Sequence, residues 1–578
     1  MTVFKAVCVC GLFLILIGCG GGGHSGSPTP TPTPASGLSV LPASGTVALS
    51  ASDALTATAP NGGVITVNWS LSPAIGTLTP NGSSATFTAP ANFPSPNTVT
   101  VTATLQSDST KSASATLTIV YPNNNHQVEA SPIKLGTSGG NSTDSNTVGT
   151  TTTCCSGTLG ALVTRGGTFF ILSNNHVLDK SSRGANGDPI TQPGLVDTNC
   201  TPGMVVANLS QAAALKPASG TSGPSPSNVD AAIAQIVAGT VDTTGAILDL
   251  GAASATSIAP APPSSTLAVP SDVLGKNEGV AKSGRSSGLT CSTLQAFNVT
   301  VSVDYDSACG GAKAFTSTFA NQVIVNGGSF SAGGDSGSLI VTSDSARPVA
   351  LLYGGNTTSS SGNPILDVLN AFQSGANSAT IVGGPDHAVS CAPTASSSAA
   401  GPATPGAAAL SPQERQRVMA ARQQNAARLR EDPAVSSIDI GASADNPAEG
   451  AVIIRFSGSP RTPIPQVLGG VRTRIVRAQA AEAQLPVLNA GDLDFATSVK
   501  EGHATAFMAQ AGIQGIGVGR SDDNPEEAAI VIYVLSGVSH PRIPAVLEGV
   551  RTKIVEGDRF RAFGWGKETK PVTKCVKK

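Results

Sequence analysis

Between residues 38 and 390 the chain is written in short runs of Val, Ile, Leu, Phe and Thr, each closed by a cluster of Gly, Ser, Pro or Asn. That punctuation constrains the fold more than anything else. Gly costs a helix interior about 1 kcal/mol and Pro about 3, and with 65 Gly and 40 Pro among 578 residues no long amphipathic helix finds room there. The pattern predicts antiparallel strands joined by tight turns. At roughly 150 residues per domain the length allows three to four domains, and the fold class expected is multidomain and mainly β, followed by a small duplicated α+β module. Net charge is −2 and aromatic content 4%, so the electrostatic footprint of a nucleic-acid binder is missing.

Residues 38–121 carry alternating runs at 46–49, 55–58, 64–71, 85–88, 98–105 and 113–121, with Trp69 as the one tryptophan available to anchor a core. Six or seven short strands in this length predict an immunoglobulin-like sandwich. With no cysteine it has no disulfide linking its sheets. It resembles bacterial immunoglobulin-like modules, which implies a spacer.

Past a linker at 391–410 the composition turns charged and helical. Ile438-Asp439-Ile440-Gly441 and Asp445-Asn446-Pro447 recur as Ile516-Gly517-Val518-Gly519 and Asp523-Asn524-Pro525, and Gly470-Val471-Arg472-Thr473 recurs as Gly549-Val550-Arg551-Thr552. Two copies of one module are expected, 411–480 and 490–560, before a basic tail at 561–578. Each begins with a helix, 412–430 or 493–511, and Ser411, Pro412 and Glu414 have the spacing of an N-cap, a first helical proline and a capping box. Arg472, Arg474, Arg551 and Lys553 alternate along strands, which predicts a solvated face, with an anion-binding face as the second reading.

The N-terminus has Lys5, an apolar run at 6–17 and Leu16-Ile17-Gly18-Cys19. The run is too short for a bilayer span of ~20 residues and has the form of a bacterial lipoprotein signal over residues 1–18. Cys19 would then carry lipid and anchor the protein to a membrane. The Gly-rich and Pro-Thr stretch at 19–37 would form a tether, flexible and then extended. No Asp follows Cys19, which favours the outer membrane or cell surface of the bacterial envelope.

Three segments recur in one order: Ser173-Asn174-Asn175-His176, then Asn228-Val229-Asp230, then Gly333-Gly334-Asp335-Ser336-Gly337-Ser338. A serine hydroxyl is a poor nucleophile until an imidazole takes its proton and a carboxylate fixes that imidazole's tautomer. His176, Asp230 and Ser336 fit those roles, with Asp242 and Asp249 as alternatives for the carboxylate. The glycines beside Ser336 permit a turn whose N–H groups, those of Gly334 and Ser336, would hold an oxyanion.

Around these residues, 130–390 resembles a chymotrypsin-fold, trypsin-like serine peptidase. Cys154-Cys155-Ser156-Gly157-Thr158-Leu159-Gly160, Gln192-Pro193-Gly194-Leu195-Val196-Asp197 and Ser283-Gly284-Arg285-Ser286-Ser287-Gly288 resemble the narrow-leaf type within it. The resemblance implies two six-stranded antiparallel barrels with the triad between them, and a peptide or protein substrate pairing with the strand around Leu352-Tyr353-Gly354-Gly355. Phe330 and Ser331 would line the specificity pocket, with Tyr353 and Gly354 as its wall. No acidic residue stands at the pocket base, which disfavours Lys or Arg before the scissile bond and favours a small or apolar residue. The chain departs from the digestive enzymes in having Ser338 for Gly, and no freed N-terminus is evident to pair with Asp335. The chemistry requires no cofactor.

Of ten cysteines, Cys8 and Cys10 leave with the signal and Cys19 takes lipid. In an oxidising envelope the remainder favours Cys154 or Cys155 paired with Cys200, and Cys291 with Cys309, leaving Cys575 as a candidate free thiol. Adjacent Cys154-Cys155 lacks zinc-ligand spacing, so no metal is expected. Two other functions fit the same residues: a silent peptide-binding scaffold or adhesin whose pocket Phe330 fills, and a peptidase that cuts its own linker at 391–410.

Overall fold

Alternation along the strands sets each buried face. In Thr98–Leu105, Val99, Val101 and Ala103 point inward while the threonines between them are only partly covered, the period of two that one buried sheet face requires. The computed structural model describes residues 37–59, 65–217, 229–391, 410–477, 485–562 and 575–576. The signal, Cys19, the tether to residue 36, Asn228 and the linker at 392–409 lie outside the described residues, as does most of the basic tail.

The first domain is a sandwich of two four-stranded sheets. Ser39–Leu41, Ser52–Thr58, Ser84–Thr88 and Thr77–Asn81 form one, and Ser44–Ala48, Ser112–Val120, Thr98–Leu105 and Val67–Ser72 form the other. Wholly buried Phe87, Leu55, Leu117 and Ile119 hold its centre. Trp69, the expected anchor, only half-covers that core and donates Nε1–H to Gly82 O at 3.2 Å.

Two antiparallel barrels follow. In barrel A, Thr137–Asn141 pairs with Pro189–Gln192, and the ladder continues through Met204–Ala212, Ala232–Ile236, Thr168–Ser173 and Ala161–Arg165. One residue before Ala161, Gly157–Leu159 pairs back onto Thr137–Asn141 and closes the ring. Barrel B runs Gly279–Gly284, Leu339–Thr342, Pro348–Gly355, Ser359–Pro364, Lys313–Asn326 and Gly288–Asp306, whose start returns to Gly279–Gly284.

The two repeats are α+β units. The first has a helix Pro412–Leu429 and strands Val435–Ala442, Gly450–Phe456 and Val471–Arg477, and the second a helix Ala490–Met508 and strands Ile513–Arg520, Ala528–Leu535 and Val550–Gly557. Ser411 Oγ accepts from Glu414 N at 3.1 Å, so the expected cap forms. The repeats face each other reciprocally. Arg472 Nη1 donates to Thr552 O at 2.6 Å and Arg551 Nη1 to Thr473 O at 2.9 Å, while Ser521 Oγ reaches Asp445 and Ser443 Oγ reaches Asp523. This corrects the expectation of a solvated face for Arg472 and Arg551. They are 2% and 1% exposed, each held by its own repeat's carboxylate, Glu449 or Glu527. A buried guanidinium persists because its fork of donors is filled.

Repeat 2 continues barrel B, since Ile513–Arg520 pairs with Gly288–Asp306 at Ala296↔Gly519 and Val301↔Gly515. One apolar cluster joins Val280, Val323 and Leu352 of the barrel to Leu493, Phe507 and Ile516 of the repeat.

The disulfides are Cys154–Cys200, Cys155–Cys309 and Cys291–Cys391. The pairing of Cys291 with Cys309 is therefore corrected. Cys291 sits near the start of the strand Gly288–Asp306 and Cys309 lies beyond its end, and at about 3.3 Å per residue no bridge spans that strand.

Candidate active site

The segment after the strand Thr168–Ser173 turns into a short helix Asn175–Leu178 that carries His176 into the interface between the barrels. Its buried neighbours fix it there. Asn174 Nδ2 donates to Asp230 O at 2.7 Å, and Asn175 Nδ2 to Ala213 O at 2.8 Å. His176 Nδ1 lies 2.6 Å from Asp230 Oδ2, and the His176 N–H donates to Asp230 Oδ1 at 3.1 Å. An ionised carboxylate only accepts, so this contact places the proton on Nδ1 and leaves the Nε2 lone pair for another group. Nε2 is buried and has no hydrogen-bond partner among the described residues.

Asp230 is wholly buried and makes two more bonds, accepting one and donating the other. The Tyr305 hydroxyl donates to Oδ2 at 2.7 Å, and the Asp230 N–H donates to Asn363 Oδ1 at 3.0 Å. Burial, and then the Asp230 charge, push the Tyr305 hydroxyl far above its ordinary range, so it stays a donor. Sequence reasoning did not find Tyr305, which stands 75 residues from Asp230 on another barrel and within no motif. The alternative carboxylates are placed elsewhere: Asp242 pairs with Lys134, and Asp249 stands near Glu129, pushed up to about 6 chiefly by burial.

Ser336 comes from barrel B but is fastened to barrel A, where the Thr158 N–H donates to Ser336 O at 2.8 Å. Glycine makes this approach possible. A Cβ on Gly157 would lie 2.5 Å from Val177 Cγ2 and 2.9 Å from Ser336 O, and one on Gly160 would lie 1.7 Å from Gly337 O. Gly334 has φ of 97°, in the left-handed region that favours glycine, and its carbonyl is held by Thr158 Oγ1 at 2.9 Å. The turn that carries the expected oxyanion N–H groups is thus fixed from below.

Asp335, for which the sequence offered no partner, has one. Lys282 Nζ lies 3.3 Å from Asp335 Oδ2, and neither side chain is exposed. Asp335 also accepts from the N–H groups of Ser286, Ser287 and Ala332 and from Ser287 Oγ. Burial pulls the Lys282 ammonium below its ordinary range, with Asp335 opposing. The run 283–288 therefore cradles Asp335, while Arg285 forms a fork onto Asp197 of barrel A through Nε at 2.7 Å and Nη2 at 2.6 Å.

The pocket residues divide. Phe330 is 2% exposed in the core that barrel B shares with repeat 2, its ring 6.0 Å from Lys282 Nζ, and it does not line the cleft beside His176. Ser331 Oγ meets Ser360 Oγ at 2.5 Å. Tyr353 is wholly buried against Phe319, and Gly354 is the next-to-last residue of the strand Pro348–Gly355. The cleft beside His176 has Asp144, Arg183, Tyr305, Asp306 and Ala562 in its walls. Burial pushes Asp144 up to about 6 against the pull of Arg183 and Lys180. Asp144 also adjoins the sulfurs of Cys155 and Cys309, but these are bonded to each other and offer no thiolate to a metal.

A search among curated proteins found no match to the chain. Residues 266–370 match the family described as Nal1 C-terminal domain. That stretch takes in all or part of every strand of barrel B together with Ser336, and over it the chain is similar to that family.

Proposed function

We propose that the protein is a serine endopeptidase, lipid-anchored through Cys19 in the bacterial envelope, that hydrolyses peptide bonds through an acyl-enzyme. The observation that carries this reading is the closed set of bonds around Asp230, which leaves His176 Nε2 as a buried base without a partner among the described residues. His176 Nε2 takes the Ser336 proton as Oγ attacks the carbonyl carbon, and the imidazolium then gives it to the leaving amine. Asp230 holds the ring and offsets its transient charge. The N–H groups of Gly334 and Ser336 receive the oxyanion. Water repeats the sequence to release the acyl group and restore Ser336. A small or apolar residue before the scissile bond remains the preference proposed. The burial of Phe330 away from the cleft removes the ground on which it would silence the site.

The test is labelling of the purified, unlipidated protein with a fluorophosphonate probe. An adduct is expected on Ser336, absent from Ser336→Ala and slowed at least ~10³-fold in His176→Ala. No adduct from either the full chain or a chain ending at Phe560, which lacks the cleft-lining Ala562, would overturn the reading if both are folded.

A further inference from the structure

The strand Pro348–Gly355 pairs along one side with Leu339–Thr342, and the last rungs of that contact are Gly337 N to Leu352 O at 2.8 Å and Leu352 N to Ser338 O at 3.0 Å. Beyond Leu352 its neighbour has turned away into the Ser336 loop. The end of the strand, Gly354-Gly355, is thereby left without a barrel partner on that side, beside the nucleophile. A peptide with its carbonyl at Ser336 would lay its preceding residues on this edge, because an unpaired strand edge takes an extended chain.

The edge is filled. The short strand Arg561–Ala562 lies antiparallel on it, with Ala562 opposite Gly354 and Arg561 opposite Gly355, and Ala562 forms part of the cleft wall with His176. Contact is close enough that a Cβ on Gly354 would stand 2.5 Å from Arg561 O. Both sides hold the segment that delivers this strand. Asn356 Nδ2 donates to Asp558 O at 3.0 Å, Gln514 Nε2 to the same oxygen at 2.9 Å, and the Asp304 N–H to Phe560 O at 3.0 Å. The Phe560 ring is wholly buried in the cluster that contains Tyr353 and Tyr305. Charge agrees, since Arg559 Nε approaches Asp304 at 4.0 Å and Arg561 acts on Asp306.

We propose that the chain's own Arg561–Ala562 strand occupies the substrate track beside Ser336, so that the resting protein is self-occupied and takes a peptide only when this strand leaves. The proposal rests on the peptidase reading. Phe560 is the fixed anchor and the two residues after it are the removable part. A peptide that displaces them forms the same ladder on Gly354-Gly355.

The experiment compares three folded proteins: the full chain, a chain ending at Phe560, and the full chain carrying Arg561→Pro with Ala562→Pro, which strips both N–H groups from the ladder while keeping length. Each is inactivated with a small alkyl fluorophosphonate and with acetyl-tripeptidyl diphenyl phosphonates ending in Ala, Val, Leu or Phe. The ratio of peptidyl to alkyl rates should rise at least about tenfold in both altered chains, as expected when the open track was populated a tenth of the time or less. An unchanged ratio overturns the proposal, and so does failure of every peptidyl reagent on the opened chains while the alkyl probe still labels Ser336. Absence of alkyl labelling in all three is a different failure, that of the peptidase reading, and removes the proposal with it.

Discussion

Tyr305 and Lys282 act on the site through other residues, and each makes a separate prediction. Tyr305→Phe keeps the ring stacked on Phe315 and removes only the donor to Asp230. A hydrogen bond to a charged group is worth about 1.5–3 kcal/mol, so labelling of Ser336 should slow about 10- to 100-fold. An unchanged rate would reduce Tyr305 to packing. Lys282→Met leaves Asp335 buried without its cation, which should cost about 3–5 kcal/mol, read as a fall in unfolding midpoint together with slower labelling. Adding Asp335→Asn should return much of the stability. The pairing of His176 with Asp230 was legible in the sequence because the chemistry fixes the immediate neighbours of such residues. Their supports were not. Lys282 follows Val280-Ala281 in an apolar strand and carries no local mark of its partner 53 residues on, and Phe330 read as pocket lining because position relative to Ser336 says nothing of which way a ring turns.

At the level of elements, the repeats were readable as copies and their contact was not, since alternation along a strand reveals two faces without naming what covers each. The contact brings Asp445 and Asp523 together. Burial raises both, Asp445 to about 7, with Asp523 and Asp522 adding to the rise of Asp445 and Ser521 and Lys553 opposing it. Arg472 and Arg551 moderate Asp523. A raised carboxyl takes up a proton on folding, so its contribution is full below the unfolded value near 4 and is lost as pH rises through about 7. The slope is about 1.4 kcal/mol per pH unit for one proton. Thermal unfolding at pH 5 and pH 7.5 should therefore show wild type losing more stability over that interval than Asp445→Asn, and equal losses would refute the assignment. The cysteines give the same lesson: a bridge from Cys154 or Cys155 to Cys200 could be anticipated from clustering, without saying which, but the length of one continuous strand decided where Cys291 and Cys309 go.

Across the whole molecule the order of domains could be read from composition, while their docking could not. The sandwich meets the segment between the barrels, the Phe93 N–H reaching Ala255 O at 2.8 Å and the Tyr121 hydroxyl Ser254 O at 2.7 Å, and Asn123 reaches the carbonyls of Arg285 and Ser286 in a turn of barrel B. These loops carry no turn signal that distinguishes a covered surface from a wet one. Barrel B and repeat 2 share strands and core, so the site and its flanking module should unfold as one cooperative unit. The reciprocal arginine contact has a further consequence. Surfaces that match each other by a two-fold exchange are what identical subunits use to meet, and here both halves belong to one chain. Covalent linkage sets their effective concentration at around millimolar, whatever the protein's own abundance. A single molecule, however dilute, therefore keeps its paired repeats assembled without needing a second copy.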